Sequence, residues 1–325
     1  MVSPILSALR VTVARALSAL GREHAALDRL EDILVGAPNH RGALFHKGSI
    51  ALQLGDVQTA QHTLRKLIAD APNFPRALGT LARASFPGPP YRQVLAAIHA
   101  TLAPKTYLEI GVEFGLTLSL AKGSEVAVGV DPAPRLRRKL HPNTRVFAET
   151  SDDFFANHTL DEIFGGKPVE FAFIDGMHRF ENVLRDFCEV ERWSTPHSTV
   201  VLHDCLPVAP VSAHRERETQ FWVGDTWKAL ECLLDRRPDL SIKVLPCYPS
   251  GLVLIRNLDP KSTVLREVLP ALERQYLAAP YPYEPGSWPR HYPILENSLA
   301  ALATELATKA RSPDGSSSSV LPAPQ

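Results

Sequence analysis

Apolar positions fall into two patterns along the chain. Up to about residue 86 they recur three or four apart between glycine and proline breaks, the spacing of amphipathic helices. Further on they gather into short runs rich in Val, Ile and Phe that read as strands. The runs are Tyr107–Ile110, Glu125–Val130, Thr144–Phe147, Val169–Ile174, Ser198–His203, Ser241–Pro246 and Gly251–Asn257. Helix-length segments separate the first five, which predicts a parallel βα array. One such helix is expected over Leu116-Thr-Leu-Ser-Leu-Ala121. Only Cys247-Tyr-Pro-Ser250 separates the last two runs, too little for a crossover, so they form a hairpin. The expected fold class is α/β. A Rossmann-like sheet of seven strands, parallel with a terminal antiparallel hairpin, follows an all-α helical domain.

The helical part repeats. Residues 16–50 align with 50–84 at an offset of 34. Leu20-Gly21 matches Leu54-Gly55, Ala26 matches Ala60, Leu30 matches Leu64, and Ala37-Pro-Asn39 matches Ala71-Pro-Asn73. Small alanines let paired helices approach, Gly48 falls where two helices of a pair touch, and each proline stops a helix before it. In period and pattern, residues 8–84 resemble about two tetratricopeptide repeats (TPR). So short an array needs a neighbour to bury its faces. It is expected to dock on the rest of the chain or to hold a protein partner. Arg10, Arg15 and Arg22, with no acid before Glu23, also suit a transit peptide, but a repeat helix is the preferred reading. Phe86-Pro-Gly-Pro-Pro90 marks a linker. The expected divisions are residues 1–86, 87–295 and 296–325. Residues 276–294 read as extended and Leu295–Ala310 as a short helix. Arg311–Gln325, with its serine run, reads as disordered.

Composition narrows the function classes. The chain has 325 residues, 45% of them hydrophobic, enough for a sizeable core. Lys+Arg and Asp+Glu both number 35, so no basic excess points to nucleic acid. The run Arg135-Leu-Arg-Arg-Lys139 reads as a solvated face. Cys188, Cys205, Cys232 and Cys247 lack C-x-x-C spacing and read as buried thiols in a reducing cytoplasm. No apolar run approaches the roughly 18 residues of a membrane span. The oligomeric state is not readable.

The chemistry starts at Tyr107-Leu-Glu-Ile-Gly-Val-Glu-Phe-Gly115. Gly111 allows a sharp turn off the first strand, where a Cβ would meet a ligand, and Gly115 allows close approach at the next element. Asp131 ends the second strand 20 residues after Gly111, the distance of a ribose-binding acid. A dinucleotide site would need bare glycine against a pyrophosphate, where this chain carries Glu113 and Leu116. A carboxylate there repels phosphate but tolerates the cationic groups of S-adenosylmethionine (SAM), which Glu109 also suits. Asp152, in Ser151-Asp-Asp153 after the third strand, is a candidate adenine contact, and Ser151 a candidate helix cap.

A second constellation ends the fourth and fifth strands: Ile174-Asp-Gly-Met-His178 and Val201-Leu-His-Asp204. Asp175 and Asp204 would share one crevice, and two close carboxylates need a proton or cation between them. Mg²⁺ would fit oxygen ligands, and His203 beside them suits Mn²⁺, Fe²⁺ or Zn²⁺. His178 can act as a base near neutral pH. Either Asp225 and Trp227 line an acceptor pocket, or Trp222 and Trp227 anchor the core.

With the parallel sheet and its hairpin, residues 90–258 resemble class I SAM-dependent methyltransferases. The two acid motifs and Trp222-Val-Gly-Asp-Thr-Trp-Lys228 resemble the macrocin-type O-methyltransferase and cephalosporin hydroxylase-like group. That resemblance implies a metal on Asp175 and Asp204, with His178 as catalytic base beside Asp175. His203 stands where the group usually has a third metal carboxylate, and Cys205 where some members carry an amide ligand. The implied activity is O-methylation of a small molecule or glycan with SAM, assisted by Mg²⁺ or Mn²⁺. The alternatives are a metal-dependent hydroxylase or hydrolase on the same residues, and a TPR scaffold with an inactive methyltransferase fold.

Overall fold

The structure is a computed structural model describing residues 4–283 and 288–308. Five helices come first: α1 (Pro4–Ala19), α2 (Glu23–Gly36), α3 (Arg41–Gln53), α4 (Val57–Asp70) and α5 (Ala77–Ser85). The 34-residue offset carries into the backbone. α2 and α4 start and end 34 residues apart. Their C-terminal caps match, Ala37 at φ −145°, ψ 79° and Ala71 at φ −143°, ψ 75°. Gly21 and Gly55 both take the left-handed backbone that ends the preceding helix, at φ 71° and 81°. Gly48 meets α4 so closely that a Cβ would lie 2.7 Å from Leu64 Cγ. The segment bearing Arg10 and Arg15 is helix α1, which packs Val11 and Ala14 against the array.

α6 (Tyr91–Leu102) leads into the sheet. The strands are β1 (Thr106–Ile110), β2 (Val126–Val130), β3 (Thr144–Phe147), β4 (Phe171–Ile174), β5 (Thr199–His203), β6 (Ser241–Leu245) and β7 (Leu252–Arg256). Their order is β3-β2-β1-β4-β5-β7-β6, with the first five parallel. β7 runs antiparallel to both neighbours, and the six residues Pro246–Gly251 that join it to β6 close the expected hairpin. All seven expected strands are present, their ends shifted by at most two residues.

Alternation sorts the side chains into two layers. Tyr107, Phe171, Phe173 and Val201 face α6 and the C-terminal helix α12 (Leu299–Ala307). Leu108, Ile110, Ile174, Val200 and Leu202 face the other core. That core contains α9 (Phe180–Arg192), α10 (Trp227–Arg236) and α11 (Val264–Tyr276). The remaining helices, α7 (Ser151–Asn157) and α8 (Leu160–Phe164), join β3 to β4.

Two expected helices are missing. Leu116–Ala121 forms only a 3₁₀ turn at Leu118–Leu120. It packs closely on β2, where a Cβ at Gly129 would lie 2.6 Å from Leu118 Cδ2. The β2–β3 connection is irregular because Pro132, Pro134 and Pro142 interrupt it. α6 and α12 cover that side of the sheet instead. Residues 296–308 therefore join the catalytic half rather than forming a separate unit, and the expected C-terminal disorder lies outside the described residues. The extended reading of residues 276–294 is met in part, since Val244 bridges to Ile294. Among the described residues no helix is long and apolar enough to cross a membrane.

The helical array docks on the sheet domain. Phe86 stacks on Trp288 with ring centroids 5.5 Å apart, and Asn297 Nδ2 donates to the carbonyls of Pro87 and Pro89. The Arg83 guanidinium lies 5.1 Å from the Tyr248 ring centroid in the β6–β7 connection.

Candidate active site

Register sets the site. Ile110 pairs with Val130 on one side and Ile174 on the other, and Ile174 pairs with Leu202. The next residues along those strands are Gly111, Asp131, Asp175 and His203. All four occupy one rim, at the carboxyl ends of the strands where the order switches direction.

Gly111 has φ 88°, and a Cβ there would lie 2.0 Å from the Asp175 carbonyl oxygen. The end of β4 therefore demands a glycine here on its own account. Asp131 holds the turn beyond it. One carboxylate oxygen accepts from the amides of Val112 (2.9 Å) and Glu113 (2.8 Å), the other from Ala133 (2.7 Å). A carboxylate has about four acceptor sites, so capacity for a hydroxyl remains. Gly115 has φ 69° and packs near Leu136, and the Arg137 guanidinium lies 3.7 Å from the Phe114 ring centroid. The basic run is largely exposed, as expected, and part of it braces the glycine turn.

Glu109 does not face the crevice. It is fully buried, accepting from the hydroxyls of Tyr107 (2.6 Å) and Thr117 (2.8 Å). Burial pushes its pKa up to about 8 despite those hydrogen bonds. Between pH 4.5 and 8 the folded chain keeps a proton that the unfolded chain releases, so stability falls as pH rises through that window. Glu109→Gln should remove this loss. At pH 7.5 the variant should be more stable than wild type by on the order of 3 kcal/mol, with the gap closing near pH 4.5. Denaturant melts at both pH values check this; a gap independent of pH contradicts it.

Asp152 is exposed in the first turn of α7, 3.3 Å from Arg185 Nε. The cap of that helix is Thr150, one residue before the expected Ser151.

The second constellation is assembled. Asp204 has φ 60°, a left-handed backbone that aspartate tolerates better than most residues. His178 Nε2 lies 3.2 Å from Asp204 Oδ2 and 3.5 Å from Asp175 Oδ1. His203 Nδ1 lies 3.0 Å from Asp175 Oδ1 and 3.4 Å from Asp204 Oδ1. The side chains of Asp175 and His178 are 21% and 22% exposed, those of His203 and Asp204 7%, so a ligand meets the first pair. Burial opposes charge on Asp175, His178 and His203, but the attraction between acid and imidazole prevails. Asp175 is held well below the usual carboxylate range, chiefly by His203 and then His178. His203 is pushed up to about 9 by Asp175 and Asp204, and His178 is raised by the same acids.

Ligand atoms of Asp175, His178 and Asp204 lie within 4.8 Å of one another, a set that fits a divalent cation. The expected set had His203 in place of His178. His203 is deeper, with its Nδ1 turned to Asp175. Cys205 is buried and its thiol donates to the His203 carbonyl, so it stands outside the set.

Three neighbours complete the cluster. Tyr91, opening α6, stacks on His203 at 4.5 Å between centroids and 25° between planes. Ser250, in the β6–β7 connection, donates to Asp204 Oδ1. Trp222 stacks on His178 at 5.2 Å and 27°. Nothing local in the sequence marks Tyr91 or Ser250, because both reach the rim only through folding. The two readings of the tryptophan loop divide. Trp222 is at the site, whereas Trp227 is buried against Tyr281 and Tyr283. Asp225 is also buried; it accepts from the Phe180 amide at the start of α9 and pairs with Lys228 and Arg215.

The family model of a methyltransferase domain matches residues 108–205, from β1 through the residue after Asp204. The chain carries a methyltransferase domain. Its matched span contains both the glycine turn and the acid–histidine cluster. No curated protein matches the chain. Solved structures with similarity include the cofactor-bound protein Rv0187 from MTB, at 16% identity over 62% of this chain and 89% of that one, TM-score 0.41. The O-methyltransferase TomG from Streptomyces achromogenes, involved in tomaymycin synthesis and in complex with SAM, gives 13%, 52%, 80% and 0.40. An O-methyltransferase from Bacillus cereus in complex with SAH gives 15%, 63%, 96% and 0.38. Scores this low add nothing to the fold traced above.

Proposed function

We propose that the protein transfers a methyl group from SAM to a hydroxyl of a small molecule. The carrying observation is the shared rim: the glycine turn with Asp131 and the cluster around His178 lie at adjacent strand ends. SAM would lie over the β1 and β2 ends, with its ribose on Asp131. The acceptor oxygen attacks the methyl carbon in line; the C–O bond forms as the C–S bond breaks, and the sulfonium leaves as a neutral thioether. The acceptor's proton goes to His178. Asp204 and Asp175 orient that imidazole through Nε2 and favour its protonated form, and the side chain is partly exposed at the rim.

Asp175 and Asp204 would hold a divalent metal, with His178 kept for the proton. Such a metal supplies Lewis acidity that lowers a hydroxyl's pKa. The helical array is proposed to be a TPR-like module whose first partner is the catalytic half on which it docks.

Titration calorimetry with SAM tests the reading. Wild type should bind one SAM per chain, and Asp131→Ala should weaken binding at least tenfold, since it removes both the ribose acceptor and the anchor of the glycine turn. Equal affinity in the variant would remove Asp131 from the site. Repeating the titration with Mn²⁺ and with chelator reads the metal separately. Stoichiometric iron with oxygen-dependent turnover would favour the hydroxylase reading instead.

A further inference from the structure

A cavity of about 480 Å³ lies where the helical array meets the catalytic half. One wall is the α4–α5 connection and α5, with Phe74, Arg76, Leu78 and Gly79; the other includes Glu218 and Phe221. Its size, its mostly apolar lining and its place between two units suit a small ligand.

Two features tie this cavity to the site. Phe221 is followed directly by Trp222, whose ring lies on the His178 imidazole, so one loop carries both a residue of the cavity wall and a residue of the site. The helical array also departs from its own repeat here. α3 starts at Arg41, and a 34-residue offset would start its counterpart at Pro75, yet α5 starts at Ala77. The delay comes from Pro75 and from Arg76, whose φ of 68° is costly for a residue with a Cβ. Both residues line the cavity. The repeat is thus distorted at the place where the space opens.

We propose that this cavity holds the non-reacting end of the methyl acceptor, and that the acceptor is a hydroxylated aromatic compound. The assignment to a methyl acceptor rests on the O-methyltransferase reading above. Phe74, Phe221 and Leu78 supply apolar contact, and Arg76 and Glu218 supply polar contacts at its edge. The helical array is then a wall of the substrate site, not only a docking platform.

Gly79 provides the test. A Cβ built there meets no atom within 4 Å, so a larger side chain enters open space, and replacing a helical glycine favours the helix. The probe is 4-methylumbelliferone, a fluorescent bicyclic phenol, titrated against the full chain. Wild type and Gly79→Ala should bind it with affinities within twofold, and Gly79→Trp should bind at least tenfold more weakly. All three should bind SAM alike. No binding by wild type, or equal binding by Gly79→Trp, overturns the proposal. Probe binding lost in Gly79→Trp, with a wild type that fails to bind SAM, would keep the ligand cavity but overturn its assignment to a methyl acceptor.

Discussion

His178→Ala is expected to reduce methyl transfer about 10²- to 10⁴-fold, the usual worth of a positioned general base, and to leave SAM affinity within twofold. The imidazole is fixed from three sides. Asp204 and Asp175 hold Nε2, Trp222 covers the ring face, and the Asp225 amide donates to the residue's own carbonyl at 3.1 Å. This setting gives the imidazole a fixed orientation at the rim. The Asp131 turn, where the ribose would bind, is held by its own backbone amides and does not touch His178. Rate and affinity should therefore separate. Single-turnover transfer from labelled SAM, beside a SAM titration of the same variant, reads both. Wild-type turnover in His178→Ala excludes the base; equal loss of rate and SAM affinity makes His178 a structural residue.

Gly111→Ala is expected to cost on the order of 3 kcal/mol or more and to abolish SAM binding. The new Cβ would lie 2.0 Å from the Asp175 carbonyl oxygen, which is backbone and cannot rotate away. The substitution also places a side chain at φ 88°. Relief requires parting β1 from β4, the strands that carry the two halves of the site. Gly115→Ala is the control, because its nearest contact is Leu136 Cδ2 at 2.9 Å, the flexible end of a side chain. Thermal melts should place Gly111→Ala at least about 6 °C below wild type and Gly115→Ala between them. Equal melting temperatures for Gly111→Ala and wild type would contradict this account of the turn.

The legible part of the fold was what local pattern controls. Strand runs such as Phe171–Ile174 and Thr199–His203 are apolar on both faces, as a sheet covered on both sides requires. The 34-residue helical offset was written in Gly21, Gly55 and the two Ala-Pro-Asn segments. Less legible was the space each crossover has. The leucines of Leu116–Ala121 suit a helix, yet they form a single 3₁₀ turn packed on Gly129. In the site, Asp131, Asp175, His178 and Asp204 were readable because each follows a strand. Their partners were not. Tyr91 and Ser250 come from distant segments, and Glu109 looks like a cofactor contact until its burial beneath Tyr107 and Thr117 is seen. Which tryptophan faces His178 depends on a loop path that no periodicity encodes.

A crystal structure of the chain with S-adenosylhomocysteine tests the central claim most directly. The nucleoside is expected over the β1 and β2 ends, with the ribose hydroxyls on Asp131 and the sulfur directed toward the Asp175–His178–Asp204 cluster. A cofactor bound elsewhere, or bound with its sulfur turned away from His178, would contradict it.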